Sequence, residues 1–275
     1  EMKCAGYDHV IIQGKSQNHC YLWINDDDVE IRDGKDLWGK TTWETDDLIR
    51  EELGDSSIQV ASIGQAGENL VKLSLAMVNK SSTLCRGGLG AVMGSKNLKA
   101  IIANGRNGIK ISDQRRFRKV TNQVMAEIRA WPIWHEFVKV SHTFYDFDVM
   151  NRGSGFTNYI REVGDPIKTR EIWGPEVYLE RVKGRRIACL ACPIACHDIT
   201  DLKGGDFNGL KVYSHGVSPV EGLRRGIDSM DGQLKCRDLL QRYGLDYVGI
   251  IGQIDFATEL YQRGIITKDD TDGVE

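Results

Sequence analysis

The sequence predicts an α+β protein: a β-rich N-terminal part followed by a mainly helical part. Two observations predict it. Up to about residue 105 the apolar residues fall in short runs rich in Val, Ile and aromatics, broken by Gly- and Asp-bearing turns. Beyond NGRNG (104–108) they recur at helical spacing over much longer stretches. At 275 residues, 41% apolar and 27% charged, the chain can bury one large core or two ordinary domains. The change of character sets the expected domains at 1–108 and 109–275.

Taken in order, HVIIQGK (9–15), CYLWIN (20–25), DVEIRD (28–33), IQVASIG (58–64) and AIIANG (100–105) read as strands. Between them TTWETDDLIREELG (41–54) reads as an amphipathic helix. Thr42 is its expected cap, Glu44 and Asp46 sit at its positive end, and Gly54 stops it. In the second part ISDQRRFRKVTNQVMAEIRAW (111–131) spaces Phe117, Val120, Val124 and Ile128 as a helix does, and Pro132 follows. Residues 143–175 carry no clean period. Residues 217–246 and 247–264 read as two consecutive helices.

A formal net charge of -3 gives no long-range attraction to nucleic acid or an anionic membrane. No apolar run approaches the roughly 20 residues that span a bilayer. EMKCAGYDHVIIQGK has neither signal-peptide character nor an initiator methionine, so a preceding segment is expected. Seven cysteines (4, 20, 85, 189, 192, 196, 236) are too sparse for a disulfide scaffold. A reduced, cytoplasmic setting is expected.

Two motifs carry chemistry. RRIACLACPIACHD (185–198) holds Cys189, Cys192 and Cys196 as C-x2-C-x3-C, matching three corners of a cubane iron–sulfur cluster whose irons each take one protein sulfur. Three buried thiols, a zinc site using His197, and a haem attachment are the alternatives. The neighbouring positions of Cys196 and His197 suit a zinc tetrahedron poorly, and CPIACH has one residue more than C-x-x-C-H. Cys236, the one later cysteine, falls inside an expected helix, so a fourth ligand is expected beyond residue 275. The second motif is RGGLGAVMGSKNLKA (86–100). Its glycines at 87, 88, 90 and 94 argue against a packed strand or a helix through its first half. Neither a dinucleotide fingerprint nor a Walker loop is present. Either its amides and Arg86 cradle phosphate oxygens, or it is a turn between strands.

ASIGQAGENLVK (61–72), CRGGLGAVMGSKNLKAI (85–101), CLACPIAC (189–196), and YGLD with FATELYQRGII (243–246, 256–266) occur in that order. Together with CAGYDHVIIQGKS and VEIRDGKDLWGKTTWET they strongly resemble the aldehyde ferredoxin oxidoreductase family of tungsten enzymes. The resemblance implies a fragment of a larger three-domain enzyme, with a β-rich pterin-binding domain first. It implies a tungsten (or molybdenum) ion on two pyranopterin dithiolenes, a 4Fe-4S cluster, and magnesium bridging the pterin phosphates. Thr83 would offer its carbonyl to that magnesium, while Arg86, Gly87 and Gly88 would line the site. The family's D-x-x-G-L-D is matched by Gln241, Gly244, Leu245 and Asp246, the last three facing a pterin ring. Gln241 replaces the first aspartate, and Lys80 is the candidate for an arginine that often precedes the loop. Aldehyde oxidisers place a glutamate after the cysteines where this chain has LKVYSHGVSP, with Ser214 or His215; the aromatic acyl-CoA reductase branch is also altered there. Of His142 and His215, the two histidines in non-periodic settings, His215 is the candidate for proton transfer.

The expected function is therefore a tungsten pterin and iron–sulfur oxidoreductase. It would oxidise aldehydes to carboxylic acids and pass electrons to ferredoxin or a partner iron–sulfur subunit, in a homo- or hetero-oligomer. The alternatives are the tungsten subunit of a benzoyl-CoA-type ring reductase, acting on an acyl-CoA, and a non-catalytic iron–sulfur electron-transfer subunit.

Overall fold

The computed structural model describes residues 1–84, 87–132, 134, 166–189, 192–214, 227 and 229–274; nothing is taken from the side chains of 166–169 and 214. The chain forms two compact units. One comprises 9–104 with 239–275, and the other 1–8 with 105–238. Both are discontinuous in sequence, whereas the composition places a single boundary at 108.

The first unit is built on a six-stranded mixed sheet, ordered β2-β1-β6-β3-β4-β5. Its strands are β1 (Cys20–Asn25), β2 (Asp28–Asp33), β3 (Gln59–Ile63), β4 (Ala76–Val78), β5 (Ser82–Leu84) and β6 (Leu98–Asn104). β1 and β2 form an antiparallel hairpin, and β1 pairs with β6 in parallel. All other pairings are antiparallel. α1 (Thr42–Leu53) supplies Ile49 to a core with Tyr21, Trp23, Ile58, Val60 and Ile102. Tyr21 and Trp23 share one face of β1 because strand side chains alternate.

α1 is capped by Thr41 rather than Thr42. The Thr41 hydroxyl accepts from the Glu44 amide at 3.2 Å and the Glu44 carboxylate accepts from the Thr41 amide at 2.8 Å, a reciprocal box. Thr42 is buried instead and donates to the Gln241 carbonyl at 2.9 Å. Gly54 ends the helix in the left-handed region, as expected. Residues 9–15 form no strand. Ile11 there is 84% exposed, so its apolar run lacks the covered face that a strand of this composition needs.

The glycine loop also departs from expectation, because α3 (Leu89–Ser95) runs through it. Glycine lowers intrinsic helix stability, but here it permits contact that no other residue allows. A Cβ on Gly94 would lie 2.0 Å from the Gly67 carbonyl oxygen, and one on Gly67 would lie 2.9 Å from that of Gly90. α3 thus packs backbone to backbone on α2 (Gln65–Glu68). Lys99 on β6 is fully buried, donating to the Glu68 carboxylate and, at 2.8 Å, to the Lys40 carbonyl. Burial pulls its ammonium below the ordinary lysine range, against the pull of Glu68.

The second unit holds α4 (Gln114–Arg129), α5 (Pro166–Trp173), α6 (Pro175–Val177) running into a π turn at Tyr178–Val182, and much of α7 (Met230–Tyr243). Its core joins Trp173, Tyr178, Val182, Leu202, Val212, Met230 and Leu234. α4 is shorter than expected and its stripe is uncovered, with Phe117, Val120 and Val124 each about half exposed. A three-stranded antiparallel sheet of β7 (Arg185–Ile187), β8 (His197–Ile199) and β9 (Tyr213–Ser214) interrupts the helices. Its strands of two or three residues are too short to show a period. α8 (Tyr247–Gln262) belongs to the first unit, and the expected helix over 217–246 is described only from Met230. Among the described residues no helix is long and apolar enough to cross a membrane.

The α2–α3 contact predicts a contrast between two helical glycines. Gly94→Ala should cost about 1–3 kcal/mol through overpacking. Gly252→Ala, where a Cβ on α8 meets nothing within 4 Å, should gain about 0.5–1 kcal/mol. Urea midpoints moving in the same direction would contradict the packing.

Candidate functional site

Two sets of candidate residues are described, one in each unit. In the first unit, residues 72–75 tie together the two motifs that resemble pterin-site signatures. On one side the Gly90 amide donates to the Ser74 carbonyl at 3.3 Å, and a Cβ on Gly88 would lie 2.7 Å from the Lys72 carbonyl. On the other side the Leu75 amide donates to the Gly244 carbonyl at 2.8 Å, and the Asp246 amide to the Leu73 carbonyl at 2.7 Å. Ser74 and Leu245 thereby form a one-residue antiparallel bridge. Gly87 and Gly88 lie successively at φ 77° and 73°, left-handed backbone that glycine adopts at little cost. Gly244 (φ 74°) has the Gly64 amide 2.9 Å from where a Cβ would stand.

The Gly244, Leu245 and Asp246 amides donate to Gln241, Leu240 and Leu73, so none is left over. What this motif retains for a ligand is the Asp246 carboxylate, buried to 8% exposure, with Oδ1 also capping α8 through the Val248 amide at 3.3 Å. The Ser74 hydroxyl, fully buried between the two motifs, has no hydrogen-bond partner among the described residues. That orphaned group, the left-handed glycines and the remaining carboxylate fit a polar, heteroatom-rich cofactor in kind. Thr83 lies half-buried on edge strand β5, opposite Met77. Lys80 pairs with Asp47, approaches Asp46 at 3.9 Å and stands 5.4 Å from the Trp43 ring centre. Arg86, His142 and His215 lie outside the described residues.

In the second unit the three cysteines sit on the connection between β7 and β8. Ile187 and His197 close that hairpin as a register pair, so Cys189 follows β7 by two residues and Cys196 immediately precedes β8. The Cys192 amide donates to the Cys189 carbonyl at 3.0 Å, and Ala195 adopts a left-handed φ of 48°. Burial pushes the Cys196 thiol up, against a backbone hydrogen bond and the Arg186 charge. Among the described residues no three His, Cys, Asp or Glu side chains converge on one metal ion. A cubane takes its thiolates at separate iron corners and needs no single point of convergence, so the three-thiol strap fits that group by donor type. His197 points its Nδ1 at the Tyr213 hydroxyl. Cys236 lies exposed on α7.

Sequence reasoning missed the support behind this hairpin. Asp198 on β8 is fully buried, bonded to the Tyr178 hydroxyl and 3.8 Å from Arg186 Nε, its cross-strand neighbour. Burial pushes its carboxyl up, with Tyr178 and Arg186 opposing. Burial, with the Asp198 charge, raises the Tyr178 phenol. The Arg-Arg pair before the cysteines was the visible signal, but an arginine alone says nothing of burial.

The described candidates are thus a β-rich unit whose glycine motifs meet at one backbone segment and a hairpin carrying three cysteines. The chain belongs to the aldehyde ferredoxin oxidoreductase family: residues 1–105 match its N-terminal domain and 119–275 its domains 2 and 3. It is 34% identical over 274 residues to a tungsten-containing aldehyde ferredoxin oxidoreductase of Pyrococcus horikoshii, covering 99% of this chain and 44% of that protein. It is 28% identical to the WOR-like subunit of an aliphatic sulfonate oxidoreductase of Pyrococcus furiosus, covering 98% of this chain and 45% of that one. Among solved structures, a chain of the active-site complex BamBC of benzoyl coenzyme A reductase, in complex with 1,5-dienoyl-CoA, superposes with a TM-score of 0.86 at 28% identity, covering 100% of this chain and 43% of that one. The chain thus spans less than half the length of these relatives.

Asp246 separates two roles. Asp246→Ala should cost about 1 kcal/mol through loss of the α8 cap, whereas Asp246→Asn, an equally good cap, should leave stability within a few tenths. If the carboxylate also holds a ligand, the Asn variant should lose cofactor while keeping its thermal midpoint. Equal cofactor content in Asn variant and wild type would reduce Asp246 to a cap.

Proposed function

We propose that this chain forms part of a tungsten (or molybdenum) pterin and iron–sulfur oxidoreductase. One observation carries the reading: residues 72–75 bind the Gly88–Gly90 loop and the Gly244–Asp246 motif into one backbone surface. In this proposal Asp246 takes the polar edge of a pterin, and Gly87 and Gly88 let its phosphates approach, with Arg86 as their counter-charge. Thr83 offers a carbonyl to a bridging magnesium. Cys189, Cys192 and Cys196 hold three corners of a 4Fe-4S cluster, the fourth ligand lying elsewhere in the protein. Bound there, these groups supply two-electron chemistry at the metal and one-electron transfer away from it.

The reaction we favour is aldehyde plus water giving carboxylic acid, two electrons and two protons, the electrons leaving to ferredoxin or a partner iron–sulfur subunit. Four relatives at 31–34% identity are named aldehyde ferredoxin oxidoreductases, which supports it. His215 is then the base that takes a proton from the attacking water, its free pKa of about 6.5 suiting that task near neutrality. The second reading, reduction of an aromatic acyl-CoA ring, is supported by the benzoyl coenzyme A reductase structure and by the absence of a glutamate from YSHGVSP. An electron carrier without the pterin site would have no use for the Gly88–Asp246 surface, which is the reason to prefer an enzyme.

Metal analysis of the anaerobically purified full-length protein comes first. Iron with tungsten or molybdenum is the expected result, and zinc alone would refute the proposal. A single viologen assay then compares an aldehyde, expected to reduce the dye, with a benzoyl thioester, expected not to oxidise it. Thioester turnover alone would assign ring reduction instead. Cys192→Ser should lower the iron-to-protein ratio and bleach the thiolate-to-iron absorption, since a serine oxygen bonds iron poorly in place of sulfur. An unchanged spectrum would remove Cys192 from the ligand set.

A further inference from the structure

Among the described residues Arg186 is engaged through one of its three nitrogens. Its Nε donates to the Ala195 carbonyl at 2.7 Å, directly beside Cys196, and lies 3.8 Å from Asp198 Oδ1. The two terminal nitrogens are closed off from solvent and have no hydrogen-bond partner among the described residues. A guanidinium carries five N–H donors, four of them on those nitrogens. Leaving buried charged donors unsatisfied costs more than leaving neutral ones, so their retention in a folded protein calls for a partner. Asp198 is no full answer, since its Oδ1 has no hydrogen bond among the described residues and its other oxygen is held by Tyr178.

We propose that the terminal nitrogens of Arg186 donate hydrogen bonds to sulfur atoms of the cluster held by Cys189, Cys192 and Cys196, and thereby raise its reduction potential. This rests on the cluster reading given above. β7 places Arg186 three residues before Cys189, and the Ala195 bond fixes the guanidinium against the far end of the same loop. Four thiolates make a 4Fe-4S centre anionic, and reduction adds a further negative charge. Donors and positive charge at its sulfurs therefore favour the reduced form. A purely structural role, bracing Ala195 and Asp198, would hold the loop without moving the potential.

The test is the midpoint potential of the cluster in the full-length protein, titrated with redox mediators and followed by EPR and visible absorption. Arg186→Gln should lower the equilibrium constant for one-electron reduction about tenfold, a shift of about 59 mV to more negative potential. Arg186→Lys, which gathers its donors on one nitrogen, should move it the same way by less. An iron-loaded Gln variant with the wild-type potential overturns the inference and leaves the cluster reading standing. Should the Gln variant lose its iron, the Lys variant decides by the same criterion: a lower potential supports the role, an unchanged one overturns it. Wild-type protein without iron overturns both.

Discussion

Close approach of backbone to backbone around residues 64–94 and 244 is the constraint on which the first unit depends. At Gly64, Gly67, Gly88, Gly90, Gly94 and Gly244 a single added carbon would stand within 2.0–2.9 Å of another residue's atoms. These positions are not flexible points. They are places where two chain segments touch without side chains between them, which sets α3 on α2 and seats the Gly244–Asp246 motif beside Leu73 and Leu75. Side-chain packing tolerates volume-conserving exchange, but a contact between main chains has nothing to exchange. Motifs 150 residues apart in sequence are therefore held in one register.

The second unit solves a different problem. Its three thiols stand on a hairpin loop of a sheet with strands of two or three residues, too small to be rigid alone. Rigidity comes from beneath, where Tyr178 from the π turn reaches the buried Asp198 and Arg186 braces the loop at Ala195. Removing one member of such a group leaves a buried charge without its partner, a larger loss than any exposed ion pair can cause. Through Tyr178, itself part of the core around Trp173 and Met230, the loop's support is tied to the hydrophobic interior of its unit.

Much of the fold was legible. β1, β2, β3 and β6 carry enough β-branched and aromatic residues to be recognised, and α1 announces both its ends through polar capping residues and Gly54. Short strands were not legible: β4, β5 and β7–β9 run two or three residues each, below the length at which alternation means anything. Residues 9–15 misled in the opposite sense, because their apolar composition signals a strand but Ile11 there stays 84% exposed, without a covered face. The site was legible as motifs. C-x2-C-x3-C needs no structure to suggest soft-metal chemistry, yet Ser74, Asp198 and Arg186 acquire meaning only through burial.

The sequence by itself determined the α+β class, the family, the thiol triplet and the glycine-rich loop, since these are set by residue type and spacing within a dozen positions. Tertiary structure decided what the glycines are for. Read locally they disfavour a helix by roughly 1 kcal/mol each, and α3 forms through them because its contact with α2 requires the missing side chains. Tertiary structure likewise decided that Thr42 serves the Gln241 carbonyl instead of capping α1, and that the Gly244–Asp246 amides are used internally, leaving the Asp246 carboxylate. The Thr42 and Asp246 contacts depend on partners far away in the chain, and neither a window of sequence nor a propensity contains the distance between them.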